Sequence, residues 1–81
     1  MAEFANVKRK KFRSALAWLG NKPGIVVIEG HKHTLIKYVY NGETYPVPTA
    51  HKEINKHILK SLAVKLVTWG ICSEDDFKDR L

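Results

Sequence analysis

An 81-residue chain with 14 Lys and Arg, 8 Asp and Glu and a net charge of +6 has room for one domain, residues 1–81, near the lower size limit for a self-sufficient core. Its 44% apolar and 27% charged residues are globular values and exclude a disordered chain. The single cysteine, Cys72, excludes an internal disulfide and a thiol-rich metal site, and no run approaches the roughly 18 apolar residues of a membrane span.

From Val7 to Leu19 the apolar residues Phe12, Ala15, Leu16 and Leu19 keep the spacing of one helical face, so this segment is expected to be a helix. Asn6 is placed to cap its start, and Gly20 to Gly24 end it. Lys10, Arg13 and Ala17 fall off the apolar stripe, and Trp18 is expected to be partly exposed. Gly24 to Glu29 is β-branched and reads as a strand. His33 to Tyr40 reads as a second strand, with Ile36, Tyr38 and Tyr40 on one face and His33, Leu35, Lys37 and Val39 on the other. That alternation sets both tyrosines against the helices rather than free to stack on bases. Asn41-Gly42 is the dipeptide favoured by a two-residue type I′ hairpin. Glu43 to Val47 returns as a third strand, an edge strand because Pro46 and Pro48 cannot donate to a ladder. Lys52 to Trp69 reads as a longer helix with Ile58, Leu59, Leu62, Leu66 and Trp69 in its apolar stripe, ended by Gly70. Ser73 followed by Glu74, Asp75 and Asp76 reads as the cap and acidic first turn of a short helix running through Phe77 to Leu81. The fold class is α+β: an α-β-β-β-α domain with a three-stranded antiparallel sheet, helices on one sheet face and a short C-terminal helix.

The charge is unevenly spread. Residues 1–40 carry eight basic side chains against Glu3 and Glu29, whereas residues 41–81 carry six of each sign. All the excess positive charge lies in the half containing His31 and His33, the electrostatic footprint of a phosphate-binding face. Read without that inference, the same charge is a solvated helix face. Met1 to Lys11 lacks an apolar run with a cleavage site, so the expected location is the cytoplasm, with no membrane partner.

Histidine takes and gives a proton near neutrality, which makes the pair at the start of the second strand a candidate for acid–base chemistry. A zinc site would need third and fourth ligands, and neither a carboxylate nor a cysteine has ligand spacing to His51 or His57, so no metal and no cofactor are expected. RNA cleavage asks less of the protein. The 2′-hydroxyl attacks its own adjacent phosphate, and the enzyme supplies only proton transfer and charge stabilisation.

The helix from Lys11 to Leu19, Gly30 to His33 opening a strand, Val47-Pro48 before His51, and Gly70-Ile71 with a Ser73-Glu74 helix start before Phe77 together resemble the HicA (YcfA-like) toxins of type II toxin-antitoxin systems. The likeness covers about residues 11–80. It implies a double-stranded-RNA-binding-like (dsRBD-like) fold, endoribonuclease activity on messenger RNA (an mRNA interferase), and neutralisation by a HicB-like antitoxin that covers the active site. The family's essential histidine, which follows a Gly-Ser or similar pair at the start of the second strand, maps onto His33, with His31 the competing position. The chain departs from the family pattern with Gly30-His31-Lys32-His33 in place of Gly-Ser-His, one extra residue in Pro48-Thr49-Ala50-His51, and no Gly-Thr-Leu turn in His57 to Lys65.

The resulting expectation is a metal-independent ribonuclease with His33 catalytic. Lys32 and Lys37 contact the scissile phosphate beside His31, and Lys10 and Arg13, with Lys8, Arg9 and Lys11, hold the RNA backbone. Two alternatives share the basic patch: a non-catalytic dsRBD-like RNA-binding module, and a protein-interaction domain whose basic face meets an acidic partner.

Overall fold

The computed structural model describes residues 3–81. In chain order it contains β1 (Val7–Lys8), α1 (Arg9–Gly20), β2 (Ile25–Glu29), β3 (His33–Tyr38), β4 (Glu43–Pro48), β5 (Glu53–Ile54), α2 (Lys56–Thr68) and α3 (Glu74–Lys78). Strands β2, β3 and β4 form an antiparallel sheet in sequence order, so β4 with Pro46 and Pro48 is an edge strand as its prolines require.

One face of this sheet carries the core. Ile25, Ile36 and Val47 meet Phe12, Ala15, Leu16 and Leu19 of α1, Leu59, Leu62, Ala63 and Leu66 of α2, and Phe77 of α3 in a single buried cluster. Each Leu, Ile or Phe so removed from water contributes about 1.5–3 kcal/mol, which the helical stripes of α1 and α2 supply in register. Trp69 closes the cluster at its far end, with the half-buried Tyr38 ring stacked on it at 5.3 Å between centroids. Trp18 is half-buried, as its place off the stripe implies, between the cations of Lys22 and Arg80 at 4.6 and 5.0 Å from the ring.

Several expectations are corrected. Helix α1 begins at Arg9, not Val7, because Val7 and Lys8 are extended and pair with Ile54 and Glu53. That pairing also takes Glu53 and Ile54 out of the second helix, which begins at Lys56 rather than Lys52. Asn6 caps a helix, but not the one that follows it. Its Oδ1 accepts from the Lys56 backbone N–H at 2.9 Å, while Asn55 Oδ1 accepts from His57 N–H at 2.8 Å, so two asparagines 49 positions apart cap α2 together.

Strand β3 stops at Tyr38, two residues short, and the type I′ turn does not form. Asn41 keeps a negative φ, its Oδ1 accepts from Glu43 N–H at 2.9 Å, and Gly42 alone takes the left-handed conformation, at φ 75°. With pairing ended, alternation no longer governs Tyr40, which is 71% exposed and touches Tyr38 edge-on instead of entering the core. The last helix runs only to Lys78, with the expected Ser73 cap formed by Oγ accepting from Asp76 N–H at 3.0 Å, and Phe77 is buried.

Next to this loop Glu43 pairs with Lys65 of α2. Hydrogen bonding to the Lys65 ammonium is the main cause that holds the Glu43 carboxyl below its ordinary value. A carboxylate depressed on folding stabilises above its unfolded pKa and loses that contribution as pH falls through the folded value. Glu43→Gln should therefore melt below the parent at neutral pH, and the gap should close as pH drops below the ordinary Glu value of about 4.3 in a series of thermal melts. Asn6→Ala, which strips a cap from α2 without touching the core, should cost about 1 kcal/mol in denaturant titration.

Candidate functional site

The segment between Glu29 and Thr34, which pair with each other, makes a tight connection from β2 to β3. Gly30 N–H donates to the His33 carbonyl at 2.9 Å. A Cβ on Gly30 would lie 2.6 Å from that same carbonyl oxygen, closer than any side chain tolerates, so the turn needs glycine for close approach. From the other side, Thr49 N–H donates to the Lys32 carbonyl at 3.0 Å, and the buried Thr34 hydroxyl lies 3.2 Å from that of Thr49. The turn is thus pinned to the segment after β4.

Arg9 holds that segment in turn. Its guanidinium donates to the Thr49 and Ala50 carbonyls at 3.2 and 3.5 Å, and its backbone N–H donates to the Lys52 carbonyl at 2.8 Å. Arg9, expected among the cations that hold RNA, instead has its side chain engaged in buckling the loop that supports the histidine turn.

Alternation along β3 decides where the candidate residues point. Thr34, Ile36 and Tyr38 face the helices, so His33, Leu35 and Lys37 face the opposite, open side of the sheet. On that side Ile28 lies across from Leu35, Leu35 across from Pro46, and His33 across from Pro48. Ile28, Gly30, His31, Lys32, His33, Leu35 and Pro46 line a groove of about 510 Å³. His31, Lys32 and His33 are exposed, and among the described residues none of their side chains has a hydrogen-bond or ion-pair partner. No carboxylate lines the groove. Glu29 pairs with Thr34 on the helix side and borders a different groove, with Arg13. Lys37 is half-exposed on the open face, two residues along β3 and between Val26 and Thr44, outside the groove lining.

The structure separates the remaining candidates from this group. Lys10 and Arg13 project from α1, on the helix side, and share a second groove of about 370 Å³ with Lys8, Arg9 and Lys52. Arg13 also lines the trough between α1 and β2, where Val26 is on the rim, and so links the basic groove to the sheet edge. Lys52 was not legible as part of this cluster, because only the pairing of β5 with β1 carries it there. Ile28 and Pro46 were also missed as neighbours of His33; the register that aligns them with Leu35 is a property of three strands together. His51 is exposed and is not among the residues lining the groove, and His57 lines a separate one with Phe4 and Lys56. Among the described residues no group of three His, Cys, Asp or Glu is placed to hold a metal ion.

Chemically, the open face offers two exposed imidazoles and an ammonium over an apolar floor. Such a site can move a proton and neutralise an anion, and the residues lining its groove include no hydroxyl or thiol side chain. A substrate that carries its own nucleophile would ask only these two tasks of it. Comparison of the chain with protein-family models, curated proteins and solved structures finds no match.

Because the His33 carbonyl occupies the space a Cβ would need, Gly30→Ala should shift the start of β3. The shift should show as a lower melting temperature and as chemical-shift changes centred on His31, Lys32, His33 and Thr49 in a heteronuclear NMR spectrum.

Proposed function

We propose that this domain is a metal-independent endoribonuclease of the HicA type, with a dsRBD-like fold, acting on mRNA in the cytoplasm and held inactive by a HicB-like antitoxin. The observation that carries the reading is His33: an imidazole with no side-chain partner among the described residues, at the first position of β3 on the open sheet face, with Lys32 before it and Lys37 further along the same face. RNA is a substrate whose cleavage asks only for these groups. Its 2′-hydroxyl is the nucleophile, so the protein has only to handle protons and charge.

In the proposed reaction His33 takes the proton from the 2′-hydroxyl as its oxygen attacks the adjacent phosphorus. The bond to the 5′-oxygen breaks, and that oxygen leaves with a proton from a protonated imidazole, for which His31 is the neighbouring candidate. A cyclic phosphate and a 5′-hydroxyl result. Lys32 and Lys37 offset the charge that builds on the phosphate. Lys10, Arg13 and Lys52 lie on the other side of the β2 edge, and Arg13 at the junction gives the RNA backbone a path from one groove to the other. A partner that silences the enzyme has to cover the open face, and against this cationic surface an acidic one is favoured.

The test is incubation of the purified protein with labelled RNA in chelator. The parent should cut it, and His33→Ala should reduce the rate by about 10²–10⁴-fold, the usual worth of a general acid or base. His31→Ala should cost less, and RNA affinity should fall steeply with salt. RNA that is retained but left intact by the parent would assign the domain to non-catalytic RNA binding, and equal cutting by both histidine variants would remove the pair from the mechanism.

A further inference from the structure

We infer that the groove beside His33 is a nucleobase site, in which one unstacked base of single-stranded RNA lies on the floor made by Ile28, Leu35 and Pro46 while His31, Lys32 and His33 stand around its phosphates. The inference rests on the ribonuclease reading and adds to it the part of the substrate that the protein grips besides the scissile phosphate.

The floor is a single row. Ile28 pairs with Leu35 and Leu35 with Pro46, so one apolar side chain from each of the three strands lies in line across the sheet. Two strand spacings make that row about 10 Å wide, a span that suits one flat base rather than the repeated anchors of a helix or an extended peptide. Ile28 is 47% exposed, Pro46 is exposed and Leu35 between them is half-buried, so the row is a contiguous apolar strip within reach of a ligand. The volume of about 510 Å³ falls among pockets for small organic groups.

Charge selects between occupants. The rim carries one lysine and two histidines and no carboxylate, so the groove is apolar below and cationic above. A nucleotide is built the same way in complement, with a flat, weakly hydrated base joined to an anionic phosphate. Gly30 presents only backbone at the rim, leaving that side open to a ribose-phosphate chain. In a duplex the faces of the bases are hidden in the stack, so this site takes RNA that is single-stranded at the cleaved step. Ile28, Leu35 and Pro46 then set which base is accepted next to the scissile phosphate.

Binding is measured with His33→Ala, which removes an exposed side chain and leaves the floor intact, using a fluorescent seven-nucleotide RNA and a series carrying one abasic nucleotide at each position in turn. One position should stand out, its abasic version binding roughly tenfold more weakly. Adding Ile28→Ser should erase that difference by bringing the intact RNA down to the abasic level. Uniform affinity across the abasic series overturns the base site even if the parent protein cuts RNA. An acidic, leucine-containing peptide that binds the protein and is lost in Ile28→Ser, together with uniform RNA affinities, would assign the groove to a protein partner. Absence of both RNA binding by His33→Ala and RNA cutting by the parent overturns the ribonuclease reading and the base site together.

Discussion

Burial of the Thr34, Ile36 and Tyr38 side of β3 under the helices is the constraint from which the rest of this molecule follows. Ile36 is fully buried at the centre of the middle strand, between Val27 and Tyr45. Once it points inward, the pleat sends His33, Leu35 and Lys37 outward. A slip of one residue would bury an imidazole and an ammonium and expose Ile36, so the register is strongly determined. The same packing that stabilises the domain therefore presents the candidate site.

A second layer of organisation holds the ends of that strand. The turn before β3 is gripped from both sides, by the Gly30–His33 backbone bond and by the segment after β4, which Arg9 fixes through its guanidinium and its backbone N–H. Two-residue strands β1 and β5 add little area, but with Asn6 capping α2 they tie the entry of α1 to the entry of α2. These contacts are polar and local in space, though distant in sequence. Among the described residues most of the cations of the first half make no ion pair and face solvent, where a polyanion can reach them.

The two basic regions sit on different sides of the sheet edge, which shapes how a nucleic acid could engage the domain. A strand that touched Lys10 and Lys52 would have to cross Arg13 and the exposed Val26 rim to reach Lys37 and His33. The charge asymmetry read from composition is thus real in space but spread over two surfaces, one electrostatic and one that joins charge to an apolar floor.

Periodicity determined the two amphipathic helices and the three sheet strands, and the local chemistry of Pro46, Gly70 and Ser73 determined an edge strand, a helix stop and a cap, because each depends on residues within a turn or a strand length of one another. Periodicity also determined that His33, Leu35 and Lys37 share a face. What it left open depends on contacts between distant segments: the start of both helices, where Val7 and Lys8 pair with Glu53 and Ile54; the helix that Asn6 caps; and the exposure of Tyr40 once pairing ends at Tyr38. The candidate site divides along the same line. Alternation in one strand put His33 on the open face, but only the registry of three strands brought Ile28 and Pro46 to its side, and only the packing of α1 behind the sheet moved Lys10 and Arg13 away from it.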